Sequence, residues 1–476
     1  MIYESVIGLE VHVELNTKTK IFCGCSTEFG AVPNTHVCPI CLGLPGALPR
    51  LNKMAVECAI KAGLALNCSI NKISRMDRKN YFYPDCPKNY QITQSEIPLC
   101  NYGHIDIELD NGSIKRIGIE RIHIEEDAGK LLHRENGTLI DYNRAGIPLA
   151  EIVSNPDIRS AKEAISYLEK LKNTLQAINV SDCKMEQGSL RCDANISVRR
   201  KGSSVLGVKT EIKNMNSFKA LGKALDYEFE RQVRAIESGE QLESETRRWN
   251  DNKGITEIMR AKENKDDYRY FNEGDLAIIN IDNWWLSKIK DEIKELPYEK
   301  IDRFIKEYGL SKKEAELIII TMKMDKFYEA AVKVNNEFKL TSNWIIGDLR
   351  KILSENGKNA GELKFYPEQL GELIDFIKSK SISNAMGKIV LEEMFKEGKN
   401  PKEIIEEKGL IQNNDEENIL SVVRDVLKDN KKSIEDYKMG KTKVLGYLVG
   451  KVMKITKGRA NPVLINKLIK EQIIKQ

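Results

Sequence analysis

The sequence predicts an α+β fold that turns all-helical along its length. Three observations carry this. Val6 to Leu15 alternates apolar and polar residues with period two, the pattern of a half-buried strand. Ala161 to Ile178 repeats apolar residues at helical spacing, with Ile165, Leu168, Leu171, Leu175 and Ile178 on one face. Past Trp285 the chain becomes rich in Lys and Glu with helical apolar spacing and few strand signals. A length of 476 residues exceeds one ordinary core, so roughly two to four domains are expected. Breaks near Glu295-Leu296-Pro297 and near Gly409 suggest a sheet-bearing domain over 1–293, a helical domain over 294–408 and a small helical tail over 409–476.

In the opening strand, Leu9, Val11, Val13 and Leu15 point one way and Glu10, His12 and Glu14 the other. A carboxylate, an imidazole and a second carboxylate in a row suit metal ligands or acid–base groups, or simply an exposed polar face. The bulk numbers bound the rest. Lys+Arg 75 against Asp+Glu 71 leaves a net charge of +4, which excludes no partner class, because local asymmetry matters more than the total. Hydrophobic residues at 41% and charged ones at 31% fit a globular chain in water. No apolar run reaches the length of a membrane span, and Met1-Ile2-Tyr3-Glu4 lacks the basic start of a signal peptide. A cytosolic location without membrane contact is therefore expected, and ten Cys there read as thiols or metal ligands.

Cys23 and Cys25, then Cys38 and Cys41 after twelve residues, form two close pairs around a loop turned by Pro33, Pro39 and Gly43. That spacing suits a four-thiolate structural zinc site. A redox pair at Cys38/Cys41 is the alternative, without a thioredoxin-like context. Cys58, Cys68, Cys100 and Cys183 sit among apolar residues and read as small core side chains.

Lys53 to Leu66 has good helix formers at helical spacing. Asp77-Arg78-Lys79-Asn80-Tyr81-Phe82-Tyr83-Pro84-Asp85 sets cations beside aromatics, which suits a phosphate or nucleotide site or a surface loop over an aromatic cluster. Asp110-Asn111-Gly112 between Ile105–Leu109 and Ile114–Ile119 is a hairpin signal. Arg121 to Lys130 repeats the opening pattern, with Ile122 and Ile124 against His123 and Glu125. Glu10, His12 and Glu125 could thus meet as ligands for Mg²⁺. Gly146 to Val153 adds a strand whose lone charge is Glu151, which an edge position would explain. Ser160 caps the following helix, with Glu163 at the capping-box position. Arg191, Asp193, Asn195 and Ser197 share one strand face, and Lys209, Glu211 and Lys213 another. No Walker loop or Rossmann glycine pattern occurs in these stretches, so a nucleotide there would rest on a sheet face.

With these residues in place, the chain resembles the family of glutamyl/aspartyl-tRNA amidotransferase B subunits. The matching segments are VIGLEVHVEL, DRKNYFYPD, RIHIEEDAGK, GSLRCDANIS, TEIKNMNSF, ETRRW and DDYRYF, and the likeness runs from Met1 to the C-terminus. The resemblance implies a mainly antiparallel, kinase-like cradle domain with flanking helices, a helical domain and a tRNA-binding tail. It implies an ATP- and Mg²⁺-dependent ligase subunit that phosphorylates the side-chain carboxylate of Glu or Asp misacylated onto tRNA. It also implies an A subunit that releases ammonia from glutamine and a small C subunit, together a heterotrimer acting in translation. Carried over by position, Glu10, His12 and Glu125 match the metal site, and Lys79 is a candidate for the phosphates. Asp193, Asn195, Glu211 and Lys213 line the same pocket in the resemblance. The zinc knuckle belongs to only part of the family and rests on this sequence's own spacing. One departure is visible: Arg269-Tyr270-Phe271 continues with Asn272-Glu273-Gly274-Asp275 where the family has Pro-Glu-Pro-Asp, which predicts a less rigid loop.

The chemistry agrees. A carboxylate is a poor acyl donor until phosphorylation supplies a leaving group, and two anions approach each other only with cations between them. No Cys-His or Ser-Lys glutaminase arrangement stands out, as expected if ammonia comes from another chain. Thr341-Ser342-Asn343 reads as the cap of a helix in the second domain. In the tail, Lys438, Lys441, Lys443, Lys451, Lys454, Lys457 and Arg459 cluster among Gly440, Gly446, Gly450 and Gly458. Such a run is a solvated face or a contact to the phosphates of a folded RNA, and the resemblance points to tRNA at Lys441, Lys443, Lys451, Lys454 and Arg459. The alternative function is a non-catalytic tRNA-binding scaffold whose acidic strands hold a structural metal.

Overall fold

The computed structural model describes residues 2–261, 265–411, 416–456 and 460–475. It divides into two compact units, Met1–Leu296 and Pro297–Gln476. The first runs β1 (Tyr3–Glu14), α1 (Lys53–Ala65), β2 (Ser69–Ile70), β3 (Ile73–Ser74), β4 (Asp77–Asn80), β5 (Tyr90–Thr93), β6 (Cys100–Glu108), β7 (Ile114–Glu126), β8 (Lys130–Arg134), β9 (Gly137–Asp141) and β10 (Pro148–Ser154). It continues through α2 (Ala161–Ala177), β11 (Leu190–Arg200), β12 (Thr210–Lys213), α3 (Phe218–Ser238), β13 (Glu245–Asn250), β14 (Ile255–Ala261), β15 (Phe271–Asn272), β16 (Ile279–Asn280) and α4 (Asn283–Glu292).

Period-two alternation becomes a two-faced sheet. Nine strands pair in the order β14-β13-β12-β11-β1-β10-β7-β6-β2, antiparallel except between β12 and β13. Leu9, Val11 and Val13 of β1 lie in one core with Ala150, Ile152, Ile122, Ile124, Ala194 and Ile196, and α1, α2 and α3 pack on this sheet, α1 over β7, α2 over β6 and α3 over β11. Val11 and Val13 have no exposed surface, a burial worth about 1.5–3 kcal/mol for each such side chain. The helices therefore leave the other sheet face, the one carrying Glu10 and His12, to polar residues.

Local chemistry sets the joints. Gly112 takes a φ of 78° in the turn from β6 to β7, where Leu109 and Ser113 close the hairpin at 2.8 Å. The hairpin strand and the His123 strand, separate in the sequence reading, are one continuous β7. Ser160 caps α2 by accepting from the Glu163 N–H at 3.2 Å. Glu163 does not close a capping box: its carboxylate accepts from the Arg159 N–H at 2.8 Å and from Lys115 at 2.7 Å.

The second unit is helical: α5 (Pro297–Tyr308), α6 (Lys312–Glu316), α7 (Asp325–Asn335), α8 (Phe338–Trp344), α9 (Arg350–Glu355), α10 (Pro367–Lys378), α11 (Asn384–Glu397), α12 (Pro401–Glu407), α13 (Glu416–Asp429), α14 (Lys431–Lys438), α15 (Val444–Ile455) and α16 (Pro462–Lys475). One apolar cluster gathers Phe304, Tyr328, Trp344 and Leu370, and another Val423, Leu448 and Ile469. Thr341-Ser342-Asn343, expected as a helix cap, lie inside a helix instead. α7 ends at Asn336 in the left-handed region (φ 53°), α8 starts at Phe338, and Thr341 and Ser342 are buried inside it. Small hydroxyl residues serve there as helix-packing positions rather than as a terminus. No helix among the described residues is long and apolar enough to cross a membrane.

Candidate active site and metal centre

The strand register assembles the site. On the polar face His12 stands between Glu151 of β10 and Arg191 of β11, and Glu151 stands opposite His123 of β7. His12 Nε2 lies 3.3 Å from Glu151 Oε2 and 3.6 Å from Glu125 Oε1. His123 Nε2 lies 3.4 Å from the same Glu151 oxygen and 3.7 Å from Glu125 Oε2. Two imidazoles thus share two carboxylates in the middle of a sheet. Burial works against a proton on either imidazole, but Glu151 and Glu125 outweigh it and hold both His12 and His123 up at about 9. Burial likewise opposes charge on Glu151, and the two imidazoles still pull it well below the usual carboxylate range.

His12, Glu125 and Glu151 each offer a ligand atom within 4.8 Å of the others. Octahedral Mg²⁺ needs neighbouring ligand atoms about 3 Å apart, so the set fits a divalent cation after a small closure. Asn195 Oδ1 and His123 Nδ1 are buried on this face without a partner among the described residues, the condition of groups that serve a ligand or water. Glu10 is not brought into this cluster. It stands opposite Asp193 and Val153 and accepts from Asn195 Nδ2 at 2.7 Å. The side chain that converges with His12 and Glu125 is Glu151. Its edge explanation fails, because β10 is an inner strand between β1 and β7. The signal was present as the lone charge of an apolar run.

Further along the face, Asp193 accepts from Lys213, and Glu211 lies 3.2 Å from the same ammonium. Thr246 donates to Glu211 at 2.9 Å. Burial disfavours the Lys213 charge, yet Asp193 and Glu211 raise its pKa above the usual lysine range. Toward the opposite strand end, Asp127 takes Arg191 at 2.7 Å and Arg144 at 3.5 Å. Glu14, read as an exposed polar residue, is partly buried there, and burial with the Asp127 charge raises it to about 7.

Lys79 stands on a separate three-stranded sheet, β15-β4-β5. Its ammonium lies 4.8 Å from the Tyr268 ring centre and 5.9 Å from that of Tyr81. The segment that departs from the family pattern is pinned beside it. Arg78 donates to the fully buried Glu273 at 2.6 and 2.8 Å and to Asp275 at 3.2 Å, with its guanidinium over Tyr90. The two acidic residues that the segment shares with the family pattern are thus the ones that Arg78 holds.

The four cysteines of the loop after β1 also converge. The Sγ atoms of Cys23, Cys25, Cys38 and Cys41 all lie within 4.8 Å of one another, and those of Cys38 and Cys41 are 3.9 Å apart. Tetrahedral zinc with bonds of about 2.3 Å spaces its sulfurs about 3.8 Å apart, so the knuckle fits that metal. Cys41 Sγ accepts from the Cys38 N–H at 3.1 Å. A hydrogen bond from the Cys23 thiol is the main reason Cys41 is held far below the usual thiol pKa; burial opposes this, and the Cys38 N–H and the Lys20 charge assist.

In the tail, Lys441, Lys443 and Lys454 are exposed, with Lys441 bonded to Asp436 at 2.8 Å. Lys451 is partly buried, donates to Asn430 at 2.9 Å and lies over the Tyr447 ring. Lys457 and Arg459 lie outside the described residues.

Comparison with known proteins bears on this geometry. Residues 5–287 match the model of the GatB/GatE catalytic domain, and residues 326–473 that of the GatB domain. The chain is similar to the B subunit of the aspartyl/glutamyl-tRNA(Asn/Gln) amidotransferase of Clostridium botulinum (strain Okra / Type B1), 62% identical over 472 residues covering 99% of both chains. It is similar to the B subunit numbered 1 of the same amidotransferase in Clostridium acetobutylicum, 61% identical over 476 residues covering 100% of both.

Proposed function

The chain belongs to the family of aspartyl/glutamyl-tRNA(Asn/Gln) amidotransferase B subunits, and on that premise we propose that its polar sheet face is where a misacylated tRNA is amidated. The protein acts in tRNA-dependent transamidation as a ligase subunit. The reading given to this face is ATP-dependent. The side-chain carboxylate of Glu or Asp on the tRNA attacks the terminal phosphate of ATP, the bond to ADP breaks, and an acyl phosphate forms. Ammonia then attacks the acyl carbon, the bond to phosphate breaks, and a proton leaves the nitrogen as the amide forms.

One observation carries the reading: His12, Glu125 and Glu151 converge on an inner part of the sheet, with Lys213 on the same face. When bound at the trio, a divalent ion such as Mg²⁺ would offset repulsion between the two anionic reactants. Lys213, held by Asp193 and Glu211, supplies a fixed cation for phosphate oxygens. Glu10 orients Asn195, whose free Oδ1 faces the site. Lys79, stacked on tyrosines, is a second phosphate partner. Structural zinc at the four cysteines would fix the knuckle loop. The exposed Lys441, Lys443 and Lys454 meet tRNA phosphates, and the amidase A subunit with the small C subunit completes the enzyme. The scaffold alternative is not favoured, since the relatives are named for the amidotransferase.

The test uses the protein assembled with its A and C partners. ATP consumption should require misacylated tRNA, and Glu125→Ala should abolish it. Amidation persisting in that variant would return the face to a structural role. Supplying Glu-tRNA(Gln) and Asp-tRNA(Asn) separately defines the substrate.

A further inference from the structure

Lys20 is the one feature of the knuckle that four thiolates alone do not explain. It has no exposed surface, and a long charged side chain is rarely sealed away without a partner. Its ammonium donates to the Tyr142 carbonyl at 3.1 Å and to Cys41 Sγ at 3.7 Å. Among the described residues no carboxylate pairs with it. It lines a cavity of about 130 Å³ with Cys23, Cys41, Lys88 and Glu126, but that carboxylate is engaged by Lys88 at 2.7 Å. The backbone fixes Lys20 as tightly as the side chain does. Its N–H donates to the Cys25 carbonyl at 3.0 Å, and the next residue donates to Gly146 O at 2.8 Å. Lys20 is thus built into the knuckle from both ends.

A divalent zinc ion with four thiolates leaves two negative charges in excess, and Cys41, the ligand that Lys20 reaches, is the buried one of the four, the other three being half-buried. We infer that Lys20 is the charge partner of this centre: its buried ammonium donates to the Cys41 sulfur and neutralises part of that excess, so that metal retention and the nucleophilicity of Cys41 both depend on it. Withdrawing density from a ligand sulfur through a charged hydrogen bond makes that thiolate a poorer target for protons, oxidants and alkylating agents. The same charge needs an anion to stay buried, so ion and lysine stabilise each other. Lys20 here is a positioning residue that acts through Cys41.

The inference rests on the four cysteines holding a metal, and the experiment separates the two. Full-length wild type, Lys20→Gln and Lys20→Met are purified and their zinc content is measured. Zinc release to a chromogenic chelator and alkylation of the cysteines are then followed over time. Glutamine keeps a donor without charge and methionine keeps only the stem. Both variants should release zinc about tenfold faster or more, the scale found when a partner of a metal ligand is removed. Their Co²⁺-loaded forms should show sulfur-to-metal bands displaced from the wild-type position. A wild-type measurement stands beside these should the variants fold poorly. With ¹⁵N-labelled lysine, the zinc protein should show a slowly exchanging ammonium whose signal moves when zinc is removed. Equal release rates and spectra in all three proteins, or no protected ammonium in the zinc-loaded wild type, would overturn the role of Lys20 alone. A wild type that holds no metal would overturn the knuckle reading and this inference with it.

Discussion

The two units handle charge in opposite ways. In the first, ionisable groups go inside: His123, Glu125, Glu126, Asp127, Glu228, Glu273 and Lys20 are all buried. In the second, ion pairs such as Lys378–Glu337 and Lys388–Asp348 lie at the surface around apolar clusters. Burying charge is costly unless it is paired, and breaking a buried pair costs far more than breaking an exposed one. The first unit therefore accepts a less comfortable interior where chemistry needs it, and the second is held by ordinary packing. The contrast recurs within the polar face. Glu125 and Glu151 are balanced by imidazoles, which can release a proton to water and so free a nitrogen for a metal; Asp193 and Glu211 are balanced by an ammonium that stays. That difference is why the proposal puts the ion at the histidine end.

Substitutions in the two units test this contrast. The largest effect is expected at the histidine end. His12→Ala should lower amidation by the assembled enzyme about a thousandfold, whereas Glu10→Gln, outside the trio, should cost clearly less. Equal losses in steady-state assays would put Glu10 back among the ligands. Next comes Arg78→Ala, which leaves the fully buried Glu273 without its guanidinium. It should destabilise the first unit by about 3 kcal/mol in denaturant unfolding, and a loss no larger than for an exposed pair would contradict the clamp. Replacing Lys441, Lys443 and Lys454 together with Glu should weaken tRNA binding about tenfold or more and flatten its salt dependence, with ATP binding unchanged. Unaltered tRNA affinity would remove the tail from the RNA surface.

The smallest effect belongs to the second unit. Glu314 is pulled down to about 2, chiefly by Lys339 and with help from Ser311. A carboxylate depressed in the folded state adds stability that is complete above its unfolded pKa of about 4.3 and is lost as pH falls toward 2. Glu314→Gln should therefore remove about 1 kcal/mol at neutral pH, with the difference fading as pH falls through about 2, read from acid unfolding curves. A pH-independent difference would mean that the capping box which Glu314 closes with Ser311 at the start of α6, not the charge, carries the effect.

The parts of this molecule that could be read from sequence are those with local signals. Alternation around Val11 and Ile124, the Asp110-Asn111-Gly112 turn and the helix after Ser160 each depend on neighbours a few residues apart. The fold class and the family likeness followed from them and from the motif segments. The place of Glu151 was half legible: its lone charge in an apolar run marked it, but its meeting with His12 depends on β10 lying inside the sheet beside β1, which alternation cannot reveal. Arg78 and Glu273 are 195 residues apart, so nothing local announces their pair. Thr341 and Ser342 looked like a cap because hydroxyl residues favour both helix ends and tight helix packing, and only tertiary burial decides between them.

Glu151 is the most telling residue to change, because it touches both imidazoles and only the sheet register brings it to them. Glu151→Gln keeps the size and removes the charge. Assembled with its partner subunits and given misacylated tRNA and ATP, this variant should bind the tRNA as wild type does yet form ADP and amidated tRNA at least about a hundredfold more slowly. ADP and amidated tRNA formed at the wild-type rate would contradict a phosphorylation site at His12, Glu125 and Glu151.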